Sequence, residues 1–384
     1  MTFSPELARA SGLWQPEVAH NPAVRLAELR ASALRGLQPM LDPGTQLFCN
    51  RYGRRGEPLV RDGVSPRYTL MCLLGLNRMI RSGEPCPFDL DSIYRALLRR
   101  TGWVNNAGDL GLLLWTTAEV FPQRLGALSV SLELDRALEK YPDGRAGKTM
   151  EMAWLLTGIT AAAVACRREF PDLADLAVAL YRGLLENQGR SGIFGHQRRT
   201  GSLAGVVRGH VGSFADQAYP ILALSRFAQA YALEEPLQAA LRCASAICAA
   251  QGPDGQWWWL YNSTTGKTVR RYPVYSVHQH AMGPMALFAL GEAATEDFTG
   301  PIFKGLDWIS GRNEIGKDLR DRASGVVWRC VRPADSLQKY VEDARRMLRV
   351  TEEGPASSAL AVLYECWPYE LGWLLYAFAG RGER

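Results

Sequence analysis

The sequence predicts an all-α protein, an (α/α)6 barrel in which about six helical hairpins close into a ring. Six apolar helices rich in alanine and leucine each begin with a polar residue, and amphipathic helices alternate with them. Turns that follow some amphipathic helices also repeat, as at Gly192 and Gly255, which are 63 positions apart. An all-apolar helix is buried and an amphipathic helix can shield it from water, so the hairpins should form two concentric layers.

The apolar helices form the predicted inner layer. They begin, in chain order, at Arg67, Asp109, Glu151, Asp216, His280 and Glu370. The amphipathic helices form the predicted outer layer and cover Asp91 to Arg100, Leu132 to Lys140, Leu173 to Asn187, Pro236 to Ala250, Phe303 to Ser310 and Leu337 to Leu348. Asp216 and His280 each stand four residues before a proline, so we expect equivalent positions in adjacent repeats.

The repeat spacing also suggests how the chain is divided. Residues 1–64 are interpreted as a helical and loop extension packed on the barrel, and residues 65–384 as the barrel itself. The start points His280 and Glu370 are 90 residues apart, and the charged stretch near residues 301–355 accounts for this excess. That stretch is either an insertion over the barrel mouth or at a partner surface, or a solvated long loop.

Composition limits the classes of function. The 384 residues carry a net charge of +5 without a long Lys/Arg run, which argues against nucleic acid and suits an anionic small-molecule or oligosaccharide ligand. The apolar run Met152 to Cys166 is shorter than the ~20 residues of a membrane span. The first residues show no signal-peptide pattern, and the eight cysteines form no CxxC pair. These features predict a cytoplasmic protein without a transmembrane segment. They do not define the oligomeric state.

The hairpin pattern and the turn AAQGPDGQWWW resemble two α/α-toroid superfamilies. One contains the six-hairpin glycosidases with their lyase and epimerase relatives, and the other the terpenoid cyclase and protein prenyltransferase toroids. The resemblance covers roughly Ser65 to the C-terminus and implies an architecture. The nearest sequence to the cyclase DxDD motif, Asp89-Leu90-Asp91-Ser92, lacks the last aspartate. No paired cysteines or HExxH accompany His278 and His280, so we expect neither a metal nor a cofactor.

Inner-helix N-termini of such a barrel meet at one mouth, where their dipoles favour anions. Carboxylates and histidines there can exchange protons with a substrate, although a carboxylate can also serve only as a helix N-cap. The catalytic candidates are Asp216, His280, His278 and Asp109, with Asp216 and His280 as a candidate acid–base pair. The substrate-binding candidates are Arg67, Tyr68, His210, Trp257, Trp259, Arg271, Tyr272, Tyr275 and Glu370.

Three functions fit these residues. The first is a carbohydrate-active enzyme, a hydrolase, lyase or epimerase of polysaccharide metabolism, which acts on an acidic glycan through His and carboxylate groups. The second is an enzyme of prenyl or terpenoid diphosphates, whose aromatic residues would contact the chain or a carbocation. The third is a non-catalytic glycan-binding scaffold. The tryptophan triplet suits all three, because indole rings stack on sugar faces as well as on apolar chains.

Overall fold

The computed structural model describes residues 21–382 apart from 55–57, 100, 142–146, 167–171, 199–208 and 335–358. Six apolar helices form a closed inner ring, in which each contacts the next and the last contacts the first. They are α2 (Pro66–Arg81), α4 (Ala107–Val120), α7 (Thr149–Ala165), α9 (Ala215–Tyr231), α11 (Gly283–Ala294) and α13 (Pro368–Phe378). A π-helical turn, His278–Met282, directly precedes α11. The predicted all-α barrel is confirmed.

A second set of helices, most of them amphipathic, forms the outer layer. They are α1 (Pro22–Leu37), α3 (Leu90–Leu98), α5 (Leu125–Leu132), α6 (Leu134–Leu138), α8 (Leu173–Leu185), α10 (Glu234–Ala249) and α12 (Thr299–Ile309). Most cover the inner helix that precedes them in the chain, whereas α1 packs against α13, the last inner helix. The outer helix predicted at Leu337 to Leu348 lies outside the described residues.

Glycine allows neighbouring inner helices to approach closely. A Cβ atom on Gly158 of α7 would lie 2.2 Å from the carbonyl oxygen of Gly111 in α4. At the seam where the ring closes, a Cβ atom on Gly75 of α2 would lie 2.0 Å from the carbonyl oxygen of Gly372 in α13. Any larger residue at these crossings would push the two helices apart, so glycine sets the helix spacing of the ring.

Short antiparallel strands connect the helices. The 2–4-residue strands are β1 (Arg51–Arg54), β2 (Leu59–Asp62), β3 (Val211–Ser213), β4 (Leu260–Asn262), β5 (Thr268–Arg270), β6 (Val274–Tyr275), β7 (Arg320–Asp321), β8 (Val326–Val327), β9 (Cys330–Pro333), β10 (Leu360–Leu363) and β11 (Glu365–Cys366). They form three three-stranded sheets, β11-β1-β2, β10-β9-β6 and β3-β4-β5, and the hairpin β7-β8. Strands this short carry no periodic signal, and the sequence did not predict them.

The N-terminal segments outside the ring form hydrogen bonds with residues near the C-terminal end of the chain. In α1, Arg30 donates hydrogen bonds to the carbonyl oxygens of Phe378 and Arg381, at 3.4 and 2.9 Å, just beyond α13. The extension predicted at residues 1–64 contains β1, which pairs with β2 and with β11. The region near 301–355 contributes α12 and β7 to β9 among its described residues. The division of the chain after residue 64 remains a prediction.

Two further observations concern the whole described chain. All eight cysteines lie within it, and Cys49, Cys72, Cys86, Cys243, Cys248 and Cys366 are free thiols. No helix in the described ranges combines the length and the hydropathy that a membrane crossing requires.

Candidate active site

Each inner helix brings a polar residue to the same end of the ring, the mouth, because all six begin there. These first-turn residues are Arg67 in α2, Asp109 in α4, Glu151 in α7, Asp216 in α9, His278 in the π-helical turn and Glu370 in α13. Backbone N–H groups at helix starts carry a partial positive charge, which stabilises the carboxylates among them. The differences between these residues lie in their partners.

Asp109 is fully engaged by its neighbours. Its Oδ1 accepts hydrogen bonds from Arg67 Nε at 2.8 Å and Nη2 at 2.7 Å, a paired contact that fixes both side chains. Its Oδ2 accepts from Asn106 Nδ2 at 2.7 Å. Asn106, not Asp109, caps the helix. Arg67 also lies over the Trp154 ring, 5.5 Å from its centroid. Neither Asp109 oxygen is therefore left to act as a base without breaking this cluster.

Asp216 instead contacts the imidazole of His196. Its Oδ2 accepts hydrogen bonds from the Ser213 N–H and hydroxyl, both at 2.8 Å, and lies 3.1 Å from Nδ1 of His196. With the proton on Nδ1, the imidazole donates to the carboxylate and leaves Nε2 as an acceptor. The Asp216 side chain is 1% exposed, whereas that of His196 is 25% exposed. The carboxylate is thus buried behind an accessible imidazole.

His196 is not among the catalytic or binding candidates selected from the sequence. The sequence shows only that His196 lies in the loop between Phe194 and α9, the helix whose first turn contains Asp216. The structure shows that the two side chains are in contact. Sequence spacing alone could not show that this loop turns back onto the helix start.

A repeated glutamine contact defines which residues are equivalent in adjacent repeats. Gln217 accepts a hydrogen bond from the Phe194 N–H at 2.7 Å and donates to the carbonyl of the same residue at 3.0 Å. Gln279 does the same with Trp257, at 3.0 and 3.2 Å. The residues preceding the glutamines, Asp216 and His278, are therefore equivalent. The predicted equivalence of Asp216 with His280 is wrong, because the π-helical turn adds residues before the proline of α11.

The two histidines of the π-helical turn are buried. His278 stacks on Phe214 at 4.5 Å and lies 5.3 Å from the Tyr275 ring. Burial lowers the pKa of His278 to about 3 and that of His280 to about 3, so both imidazoles are neutral near pH 7. His280 is 0% exposed and neither ring nitrogen has a hydrogen-bond partner. Only His278 therefore adjoins the aromatic residues of the mouth, and His280 lies in the barrel wall.

Glu370 forms the second charged cluster of the mouth. Its Oε1 contacts Arg329 Nη1, and its Oε2 accepts a hydrogen bond from the Trp367 N–H at 3.3 Å. Burial raises the pKa of Glu370 to about 7, against the opposing effect of Arg329. The Arg329 guanidinium stacks 3.3 Å from the centroid of Trp367 and lies 5.1 Å from that of Tyr275. The sequence placed Arg329 in the charged stretch and not in the site, because β9 brings it back to the mouth.

Aromatic rings surround this cluster. Tyr68 lies 4.8 Å from Tyr369 and 5.7 Å from Trp367, and burial raises the pKa of Tyr68 to about 12. The half-buried Trp259 contacts Tyr275 edge-on, with ring centroids 6.2 Å apart. Tyr68, Tyr275 and Trp259 thus form an aromatic rim around the mouth, which suits the apolar face of a sugar ring.

Other predicted binding residues lie away from that rim. Trp257 is 0% exposed and stacks on Phe214 at 5.6 Å inside the wall, so it does not face the mouth. The exposed Arg271 lies over Trp258 and lines a surface cavity beside α10. Tyr272 donates to Glu314 at 3.0 Å. His210 is half-buried just before β3, and its carbonyl accepts from the Ser263 N–H at 2.8 Å.

Metal-binding residues do not gather in the described part of the mouth. Within the described ranges, no group of three or more His, Cys, Asp and Glu side chains is placed to hold a metal ion.

Comparison with solved structures identifies the fold. The chain is similar to a possible member of the GH105 family from Klebsiella pneumoniae, with a TM-score of 0.61, 11% identity, and 100% of this chain and 98% of the other covered. It is similar to an unsaturated glucuronyl hydrolase specific for heparin (TM-score 0.56, 14% identity, 93% and 97% covered). It also resembles a cellobiose 2-epimerase from Bacillus thermoamylovorans (TM-score 0.60, 12% identity, 93% and 99% covered).

No protein-family model and no curated protein sequence matches the chain. At these identities the likeness defines the architecture alone. The protein is an (α/α)6 toroid, and the fold predicted from the hairpin pattern is confirmed over the length of these relatives.

Proposed function

We propose that the protein is a carbohydrate-active enzyme that acts on an acidic glycan at the mouth, with His196 and Asp216 as its acid–base unit. The observation that carries this proposal is the 3.1 Å contact between Asp216 Oδ2 and His196 Nδ1. A buried carboxylate that accepts from Nδ1 fixes the tautomer and orientation of the imidazole and stabilises its protonated form. His196 would then exchange a proton with the substrate through Nε2.

The partners of the other carboxylates favour one reaction type. Hydrolysis by a carboxylate pair needs two carboxyl groups that face one glycosidic bond. Asp109 is held by Arg67 and Asn106, and Glu370 by Arg329 and the Trp367 backbone. Glu151 pairs with Lys148 at 3.2 Å. A single imidazole base instead suits proton abstraction from a sugar carbon, the step that lyases and epimerases share. We therefore place the reaction in that class.

Two further observations support an acidic glycan as the ligand. Arg67 lies at the mouth over Trp154, and its side chain, although paired with Asp109, is 33% exposed, so its guanidinium can also donate to a uronate carboxylate. The solved structures of similar fold include a polysaccharide lyase and an unsaturated glucuronyl hydrolase. Both of these proteins are named for acting on glycans.

The engagement of Asp109 and Glu370 also favours a second candidate, a non-catalytic glycan-binding protein. Both carboxylates act as structural anchors of the mouth, which a binding protein would need as much as an enzyme does. The two candidates differ in one respect. Only the enzyme requires the His196 imidazole for turnover.

The first experiment screens the protein by thermal shift against uronate-containing oligosaccharides, matched neutral oligosaccharides and prenyl diphosphates. A ligand at a hundred times its dissociation constant stabilises the folded protein by ~2.7 kcal/mol. Uronate-containing ligands that bind are then incubated with the protein, and the products are separated by chromatography. We expect His196→Gln to keep binding and to lose turnover by about 100-fold or more.

The matched control is Arg136→Gln, an exposed substitution on α6 whose side chain is 80% exposed. It should bind and turn over like the wild type. Uronate binding with no product from the wild type would support the binding protein instead. A response to prenyl diphosphates alone, or equal turnover by His196→Gln and the wild type, would reject the proposed enzyme.

A further inference from the structure

A second cavity lies at the end of the barrel opposite to the mouth. Its volume is about 490 Å³, which is within the range of small-molecule sites. All six inner helices line it, mostly with residues from their C-terminal halves or from just beyond their ends. We call this cavity the basin. Nothing in the proposed acid–base chemistry uses it.

Cations form one side of the basin. Arg78, Arg81, Arg226 and Arg381 line it together with two carboxylates, Glu119 and Glu292. The formal charge of these six residues is therefore +2, from four positive and two negative groups. Arg226 pairs with Glu119, and Arg381 with Glu292. Arg81 is exposed, so its guanidinium can turn toward a ligand.

A network of contacts holds the deeper arginines in place. Arg78 stacks 3.7 Å from the Tyr376 ring centroid and donates to the carbonyl and the hydroxyl of Tyr376, at 3.2 and 3.0 Å. Arg226 contacts the same hydroxyl. Burial disfavours ionisation of Glu119, but Arg226 and Arg78 outweigh it, and the pKa of the Glu119 carboxyl is lowered. The guanidinium groups are thus fixed before any ligand arrives, which lowers the entropy cost of binding.

Part of this network has a structural role. Helix C-termini carry a partial negative charge, and arginine side chains commonly satisfy their last carbonyl groups. Arg78 does so for α13. That role explains why arginines are present, but it does not fill the cavity or require the excess of positive charge.

Apolar side chains and one unsatisfied polar group also line the basin. Met285, Phe288 and Ala289 of α11 line it together with Ala161 of α7. Thr160 also lines it. This residue is 4% exposed, and its buried Oγ1 has no hydrogen-bond partner. A buried hydroxyl without a partner costs free energy, which a ligand acceptor would recover.

We propose that the basin binds a small organic anion, in which a carboxylate or phosphate faces the arginines and an apolar body lies against α11. The site is independent of the proposed glycan chemistry, because it is at the other end of the barrel and shares no residue with the mouth.

The test is a calorimetric titration of the whole protein with phenyl phosphate, which combines both features. Inorganic phosphate supplies the anion alone, and benzyl alcohol supplies the apolar body alone. We expect saturable, single-site binding of phenyl phosphate, with weaker binding of the other two probes. Arg81→Gln should weaken phenyl phosphate binding by about fivefold, because a charge-assisted contact is lost.

Four further variants, two in the basin and two controls outside it, sharpen the result. Ala289→Trp should fill the basin and abolish binding, and Thr160→Val, which removes only the hydroxyl, should weaken it. Arg136→Gln removes an exposed arginine elsewhere and should bind like the wild type, as should His196→Gln at the mouth. The proposal is overturned if phenyl phosphate does not saturate, or if Arg81→Gln and Thr160→Val both bind it as the wild type does. It is also overturned if His196→Gln abolishes the binding, since the probe would then occupy the mouth.

Discussion

The mouth and the basin are opposite ends of the same six helices, and each contains an ion pair within an aromatic cluster, buried at the mouth and half-buried at the basin. At the mouth, Arg329 pairs with Glu370 against Trp367. At the basin, Arg226 pairs with Glu119, and its guanidinium lies 5.1 Å from the Trp115 centroid. Acidic residues concentrate at the helix starts and arginines at the helix ends, which is the arrangement that complements helix dipoles.

The comparison shows that charge at a helix end is weak evidence of chemistry. At both ends, most of the charged side chains complement the helix dipoles or form ion pairs with one another. What separates the ends is the histidine beside Asp216 at the mouth and the open volume at the basin. Features that the helix dipoles do not explain, such as this histidine and this cavity, are therefore better evidence of function.

The largest expected effect compares the two ion pairs. Removing one partner of a buried pair leaves an uncompensated charge and costs ~3–5 kcal/mol. The side chains of Arg329 and Glu370 are 11% and 0% exposed, whereas those of Arg226 and Glu119 are both 18% exposed. We therefore expect Arg329→Ala to lower the free energy of unfolding more than Arg226→Ala, as measured by urea denaturation.

Second substitutions at the partner carboxylates provide the control. Glu370→Gln added to Arg329→Ala should recover part of the loss, because no charge is then buried alone. Glu119→Gln should do the same for Arg226→Ala. Equal losses at the two ends would contradict the proposed dependence on burial.

The pH dependence of stability should have opposite signs at the two ends. Burial raises the pKa of Glu370 from 4.5 to about 7, so the folded protein binds a proton that the unfolded chain releases between these values. This contribution is fully present below pH 4.5 and is lost as the pH rises through 7, a change of ~3 kcal/mol. The pKa of Glu119 is lowered from 4.5, so its contribution is present above pH 4.5 and is lost in acid.

Urea denaturation at a series of pH values measures the free energy of unfolding of the wild type and of each glutamine variant. The variant's value is subtracted from that of the wild type at each pH. The free energy of unfolding of the wild type minus that of Glu370→Gln should fall as the pH rises from 5 to 7. The difference between wild type and Glu119→Gln should be flat there and should decrease below pH 4.5. Slopes of the same sign would show that burial does not control Glu370.

The smallest expected effect concerns buried polar groups without partners. Both ring nitrogens of His280 and the hydroxyl of Thr116 are buried and unpaired. Replacing such a group by an apolar one of similar size removes an uncompensated desolvation cost. We expect His280→Met and Thr116→Val each to raise the free energy of unfolding by ~1 kcal/mol at pH 7. Unfolding curves would measure this. A loss of stability in His280→Met alone would indicate a hydrogen-bond partner for the imidazole.

The sequence predicted the inner layer well, because long apolar helices carry a strong signal. The helix predicted from Asp216 begins at Ala215, and the amphipathic helix predicted from Leu173 begins at that residue. The prediction from His280 was displaced, since a π-helical turn breaks the 3.6-residue period. Spatial order was harder to predict, because α1 covers the last inner helix although it lies at the other end of the sequence.

The candidate site was predicted in outline only. The polar first turns of the inner helices follow from the sequence, and Asp109 and Asp216 were found in this way. Their partners were not, because Arg329 and His196 come from loops whose return to the mouth depends on three-dimensional folding. The alternation of the three tryptophans predicts that at most one face of an extended segment is buried, and this is wrong, because both Trp257, which packs on Phe214, and Trp258 are buried.

The seam between α13 and its neighbours α1 and α2 has a consequence for how the chain folds. A Cβ atom on Gly382 would lie 3.0 Å from the Cα atom of Ala23, although almost the whole described chain separates these two residues in sequence. Contacts of such high sequence separation form late, after the intervening loop has lost its conformational entropy. We therefore expect an open, C-shaped stack of hairpins as the last species before the native state, with the apolar flanks of α2 and α13 exposed to aggregation until they meet.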